Sequence, residues 1–459
     1  MRLRRVAVLA ATGAFMVVTV TPAAAAGPPT VDPVNWSPEL STGEAVGITV
    51  EGSTARLTGP TGLLTLPARR LDVLTERVDT AVDGDLPAGT TAIVDVRGRR
   101  ATGGWTEWQP ATPGSAATLA EPTSEVQSRL VLTGSPGAEP VVRGLTLTAR
   151  PVLRKRLAAT ESTVQVPLSF RVFATREGLV GGRTANGHII GERDHFVALP
   201  SRRALAPRGS SDYSVKVCAA NGRCAFAPVW DVGPWNTRDD YWNPPAIRQE
   251  WGVLPQGVPQ AQAAYREGFN DGRDQYDRKV QNPAGIDLGD GLFWDALGLE
   301  DNSWVTVDYL WSGSIPLATV IGEDGPEDVL SAPDAAAAVV GVAARQAAVP
   351  TECVLGSGAE QWLKIGVDQF VPAPAVAEPL TVQPCPADPE PATAATPTDD
   401  PAAIPGADPA DPAGITPADP AAADPAGITA TDPPGVTATD PTRTGAVDTD
   451  DAASDTTAG

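Results

Sequence analysis

Basic charge is scarce in this sequence. Lys and Arg total 34 against 56 Asp and Glu, giving a net charge of −22 at neutral pH. Phosphate binding needs a basic surface, so nucleic acid is not an expected partner. Long apolar runs are missing beyond the first twenty residues. Residues 335–349 are rich in Ala and Val, but they contain Arg345 and Gln346 and are too short to span a bilayer. Histidine is limited to His188 and His195. With Asp231 they would supply two imidazoles and a carboxylate, a set that can hold catalytic zinc. Their spacing is not diagnostic, and no metal or other cofactor is expected. Cysteine is limited to Cys218, Cys224, Cys353 and Cys385.

The N-terminus carries an export pattern. Met1-Arg2-Leu3-Arg4-Arg5 precedes an apolar stretch over residues 6–20, and the small residues Ala23 to Ala26 precede Gly27. A basic end, a short apolar core and an A-x-A site describe a secretory signal peptide over residues 1–26. Arg4-Arg5 also raises twin-arginine export, and a retained anchor helix is the alternative. The expectation is a secreted chain, extracellular or associated with the cell wall, with no membrane span after cleavage. An even number of cysteines in such a chain suggests two disulfides, as against free buried thiols. Cys218 and Cys224 flank Ala-Ala-Asn-Gly-Arg. With Gly222 in the left-handed position of a hairpin loop they face each other across two strands. That leaves Cys353 with Cys385.

Residues 28–152 read as short alternating strands. Val94 and Val96 share one face, with Asp95 and Arg97 on the other. Val126, Ser128, Leu130 and Leu132 repeat the pattern, as do Leu145, Leu147 and Ala149. Turn residues separate these runs, which predicts an N-terminal β-sandwich. The stretch VDVRGRRATGGWTEWQP resembles strands of jelly-roll modules in secreted proteins. Its Trp105 and Trp108 either stack on sugars or pack inward. Residues 153–165 read as a connector. After residue 312 comes an Ala-rich segment, 334–348, predicted as a helix. A small Cys-containing segment follows within 313–385, and its fold is not readable. From Pro386 to residue 459 there are fourteen acidic residues and one basic residue, Arg443. DPAGIT occurs at 411–416 and 424–429, and DPPGVT at 432–437. Such a segment buries too little apolar surface to offset its ordering entropy, so a disordered acidic tail is predicted.

Three central segments carry the chemistry. Residues 181–205 contain Thr184-Ala185-Asn186-Gly187, and His195 before Leu199-Pro200. Residues 214–236 contain Asp231-Val232-Gly233-Pro234-Trp235. Residues 284–311 contain Ile286-Asp287-Leu288 leading to Leu297-Gly298. In this order they resemble the rare lipoprotein A family and, more distantly, barwin, expansins and family 45 endoglucanases. The resemblance implies a six-stranded double-psi β-barrel over residues 166–312 with a polysaccharide groove. It also implies that Asp231 is a catalytic candidate, supported by His195 and His188, and that Asn186 and Asp287 contact substrate. His188 stands where lytic members of the family have a Glu, and Val232 where they have an Arg. Both departures weaken the case for bond cleavage.

The residues themselves support part of this. Gly233-Pro234 forces a turn after the apolar run 225–230. Asp231 is thereby held at a strand end between Trp230 and Trp235. An apolar wall raises a carboxyl pKa, and a protonated Asp can donate to a glycosidic oxygen. The alternative is that Asp231 caps the turn through backbone hydrogen bonds. Trp230, Trp235, Tyr241, Trp242 and Trp251 crowd the insertion 236–283. They either stack on sugar faces or pack that insertion onto the barrel. Residues 259–270 carry Ala261, Ala264, Tyr265, Gly268 and Phe269 at helical spacing, predicting a helix whose apolar face packs on the barrel.

The expected fold is therefore mainly β: a sandwich, a barrel with a helical insertion, a small Cys-containing segment and a disordered tail. The expected function is binding or remodelling of cell-wall glycan, with peptidoglycan first. If enzymatic, the chain is a peptidoglycan lytic transglycosylase or a glycoside hydrolase. The rivals are a non-catalytic, expansin-like binder and a structural or protein-binding scaffold, since fold does not fix function. No protein partner is readable.

Overall fold

A short two-residue strand closes the central barrel. Six strands form it: β1 (Leu168–Glu177), β2 (Val197–Ala198), β3 (Ser214–Cys218), β4 (Cys224–Asp231), β5 (Ala284–Gly289) and β6 (Ser303–Tyr309). In this computed structural model they pair in the order β2-β5-β1-β6-β3-β4, and β2 then pairs with β4 to complete the ring. The β1–β5 and β2–β4 pairs are parallel, and the other four are antiparallel. Alternate residues such as Val172, Ala174, Val215, Val217, Ile286, Leu288, Val305 and Val307 fill the interior, as the two-residue period of a strand requires.

The structure describes residues 32–112, 114–152, 165–322, 325–377 and 382–386. The signal peptide and almost all of the connector and acidic tail predicted from the sequence lie outside them. The described residues up to Gln383 belong to one compact unit.

Residues 34–151 form a ten-stranded antiparallel arrangement with its own core of Val78, Val94, Val96, Leu130, Leu132, Leu145 and Leu147. The expected face of Val94 and Val96 is inward. The opposite face is not exposed: Asp95 and Arg97 are buried too. That face meets the barrel. Trp108 lies between the guanidinium groups of Arg97 (4.3 Å from the ring centroid) and Arg129 (4.4 Å), and it belongs to the barrel core. Arg97 Nη2 reaches Asp212 Oδ2 (2.7 Å), and Arg129 is paired with Asp95 (2.8 Å). Glu107 accepts from Trp242 Nε1 (2.6 Å), Trp311 Nε1 (2.9 Å) and Asn243 Nδ2 (2.7 Å). Trp105 and Trp108 thus pack inward and present no ring to a sugar.

The hairpin between β3 and β4 pairs Cys218 with Cys224, and their disulfide is formed. Gly222 takes φ +86°, as the short loop demands. Cys353 and Cys385 are also disulfide-bonded. Among the described residues no cysteine is free.

In the insertion, α1 (Gln260–Glu267) lies within the predicted span. Asp239 Oδ2 accepts from the Gln260 amide at its start (2.7 Å), and Gly268 at φ +70° ends it. Ala261, Ala263 and Ala264 are buried, but Tyr265 is exposed, so it is not part of the packed face.

The helix predicted over 334–348 is not formed. A turn at Asp334, whose Oδ1 accepts from the Ala336 amide (2.9 Å), leads into the strand Val339–Ala343. This strand pairs parallel to β4, with Gly341 opposite Cys224. Adjacent β-branched residues and a central glycine disfavour helix there, and pairing on the start of β4, which the short β2 does not reach, outweighs alanine's helix propensity. The strands Glu327–Leu330, Gln369–Pro372, Trp362–Gly366 and Cys353–Leu355 continue outward from it. The segment unreadable from sequence is therefore a small β layer over Phe226 and Leu310.

Candidate functional site

Strand register assembles a row of polar residues at one end of the barrel. Ala198 of β2 pairs with Asp231 on one side and with Asp287 on the other. Asp287 in turn pairs with Thr175 of β1. Strands about 4.8 Å apart place the backbones of Asp231 and Asp287 roughly 10 Å from each other, with only a methyl side chain between them. Two residues beyond Thr175, on the same face of β1, stands Glu177.

The hydrogen bonds define each role. Asp231 Oδ1 accepts from the Ala185 amide (2.8 Å) and the Val232 amide (2.7 Å). Asp231 also acts on the nearby Glu177 carboxyl. Burial pushes the Glu177 carboxyl well above its usual range, and the charges of Asp231, Asp287 and Asp290 add to the shift. Asp287 is raised from 3.8 to about 7, chiefly by burial. The hydroxyl of Thr175 donates to its Oδ1 and opposes the rise, and Asp231 adds to it. Gly233 stands over this carboxyl. A Cβ there would lie 3.4 Å from Asp287 Oδ2, and the carboxyl is half-buried.

The first and second motifs do converge. The Asn186 amide donates to the Trp230 carbonyl (3.1 Å), and the His188 ring lies on Trp230 with centroids 4.4 Å apart. His188 Nε2 also bonds Asp194 Oδ2 (2.7 Å). His195 stands elsewhere. Its ring packs against Gly291, burial lowers its pKa, and the charges acting on it are Asp295, Asp194 and Arg193. His195, expected to support Asp231, is thus not placed with it; the carboxyl that Asp231 acts on is Glu177.

Several expected sugar contacts are enclosed. Tyr241 and Trp242 are fully buried: Tyr241 OH donates to the Gly285 carbonyl (2.9 Å), and Trp242 serves Glu107. They pack the insertion onto the barrel. Asn186 is buried as well. Its side chain accepts from Thr184 Oγ1 (2.7 Å) and donates to the Ala206 carbonyl (3.2 Å), so it builds the loop that holds Asp231. Trp230 and Trp235 are half-buried. Trp230 stacks on Phe196 (5.8 Å, 15°), and Trp235 Nε1 bonds Asn282 Oδ1 (3.0 Å). Trp251 is half-buried against Phe269.

Glu177 carries little signal in the sequence. The only available signal was a carboxylate ending an apolar alternating run just before a glycine. Among the described residues, no group of three or more His, Cys, Asp or Glu is placed to hold a metal ion. A cavity of about 290 Å³ lies away from the carboxyls, between the N-terminal strands and the barrel, lined by Val46, Leu63, Arg129, Asn186, Leu205 and Arg208 among others.

Residues 168–308 match a family described as a Domain of unknown function (DUF8814). The match begins at the first residue of β1 and ends one residue before the end of β6. No curated protein matches the chain.

Proposed function

We propose that this protein is secreted and binds or remodels cell-wall polysaccharide, peptidoglycan in the first instance. Its barrel is of the double-psi type, and the N-terminal strands form a β-sandwich fastened to it. The reading rests on one observation: three carboxyl groups meet at one end of the barrel, the half-buried Asp231 beside the buried Glu177, with the half-buried Asp287 on the other side of Ala198.

This arrangement suits general acid–base cleavage of a glycosidic bond. Asp231 faces the leaving oxygen and passes on a proton drawn from Glu177 as the C–O bond breaks. Asp287, near half-ionised at neutral pH, removes a proton from the attacking group. With water as that group, hydroxide adds to the anomeric carbon and the outcome is hydrolysis. With a hydroxyl of the same sugar, the outcome is an anhydro product. No cofactor enters either route. The strongly acidic chain makes nucleic acid an unsuitable partner.

A binding role without cleavage is favoured by the enclosure of Glu177, which is 9% exposed. Incubation of purified peptidoglycan with the mature chain separates the readings. Release of reducing ends or anhydro-sugars that disappears in Asp231→Asn supports catalysis. Retention on the wall without release supports binding alone. Neither retention nor release leaves a scaffold and overturns the glycan reading.

A further inference from the structure

We propose that Arg176, Trp294 and Arg193 form a subsite for a carboxylate-bearing sugar beside the acidic cluster; the inference rests on the glycan reading and specifies its substrate. Arg176 precedes Glu177 on β1, so their side chains leave opposite faces of the strand. The Arg176 guanidinium lies over the indole of Trp294, 4.5 Å from its centroid. The Arg193 guanidinium lies 4.8 Å from the same centroid. Trp294 is 36% exposed, and both arginine side chains are more exposed still.

Separate features of the backbone build this arrangement. Trp294 sits on the π-helical turn Gly291–Ala296, a form that recurs at functional sites. Arg193 is held at φ +63°, a left-handed conformation that costs energy for a residue with a long side chain. A Cβ on Gly291 would collide with the Arg193 carbonyl, and one on Gly178 would displace the Arg176 guanidinium. Exposed ion pairs add little stability, so the Arg193–Asp295 pair (3.4 Å) does not account for this construction, while Arg176 is anchored from the protein side by the buried Asp290 (3.1 Å). Stacking a planar guanidinium on an indole directs its N–H edge outward, where it can grip a carboxylate in fork geometry. Asp290 links the patch to the acid: it pairs with Arg176 and acts on Glu177. A chain lying across Asp231 would therefore bring a neighbouring sugar's carboxylate to the arginines. The lactyl group of muramic acid and the carboxylate of a uronic acid share this chemistry.

Calorimetric titration of the full mature chain tests it with three oligosaccharides of equal length: neutral N-acetylglucosamine, a muramic-acid-containing glycan, and a uronate. We expect at least one acidic ligand to bind about tenfold tighter than the neutral one at low salt, with the preference shrinking as salt rises. The lactyl and uronate arms identify the source. Arg176→Gln combined with Arg193→Gln should erase the preference and keep the neutral affinity, with an unchanged melting temperature. Equal binding of all three ligands by the wild type, or a preference that survives the double variant, overturns the subsite and leaves the glycan reading intact. Binding to none removes both.

Discussion

Glu177 is a buried carboxyl beside Asp231, whose own carboxylate is anchored by two backbone amides and whose charge helps raise the Glu177 pKa. The two residues are 54 positions apart in the chain. One is almost enclosed and the other is half-buried.

Stability should fall as pH rises through the neutral range. Glu177 and Asp287 both have folded-state pKa values above their ordinary ones, so the folded form binds their protons more tightly. Their contribution is complete below about pH 4 and is lost as pH rises through the folded values, near 7 for Asp287. Scanning calorimetry between pH 4.5 and 8 should show this fall, by on the order of 5 °C. Glu177→Gln with Asp287→Asn should flatten it.

Thr175→Val removes the hydroxyl that bonds Asp287 while keeping the side-chain shape. The hydroxyl favours the ionised form, so its loss should raise the Asp287 pKa by about one unit. If cleavage is present, the acidic limb of the kcat/KM profile should move up with it. An unmoved limb would show that Asp287 is not the base.

Glu177→Gln keeps the side-chain shape beside Asp231 but cannot release a proton. Release of sugar from peptidoglycan should drop by about 100-fold or more, with retention on insoluble wall unchanged. Loss of both would point to a structural role.

Trp108→Ala should destabilise the chain by about 4 kcal/mol in urea titration. The indole fills a place in the barrel core from the N-terminal strands, and its loss leaves two buried guanidinium groups without their stacking partner. A fragment of residues 166–312 should accordingly melt well below the full chain.

Gly341→Ala places a Cβ against the Cys224 carbonyl across a strand pair. Backbone cannot yield cheaply, so a cost of about 2 kcal/mol is expected, read as a lower denaturation midpoint with the Cys218–Cys224 disulfide still formed.

The sequence by itself determined the local features. Alternation marked the strands of the N-terminal region, the spacing of Cys218 and Cys224 with Gly222 between them marked the hairpin disulfide, and Gly233-Pro234 marked the strand end at Asp231. These are short-range properties, set by the two-residue period and by backbone sterics. Tertiary structure decided what those features meet. Glu177 becomes an acid only because β1 runs parallel to β5 and brings it among Asp231 and Asp287. Tyr241 and Trp242 look available for sugar until Gly285 and Glu107, the latter 135 positions away from Trp242, claim their polar atoms. Residues 334–348 look helical until β4 offers an edge. In each case the outcome depends on desolvation and pairing between distant segments, and local composition carries no information about either.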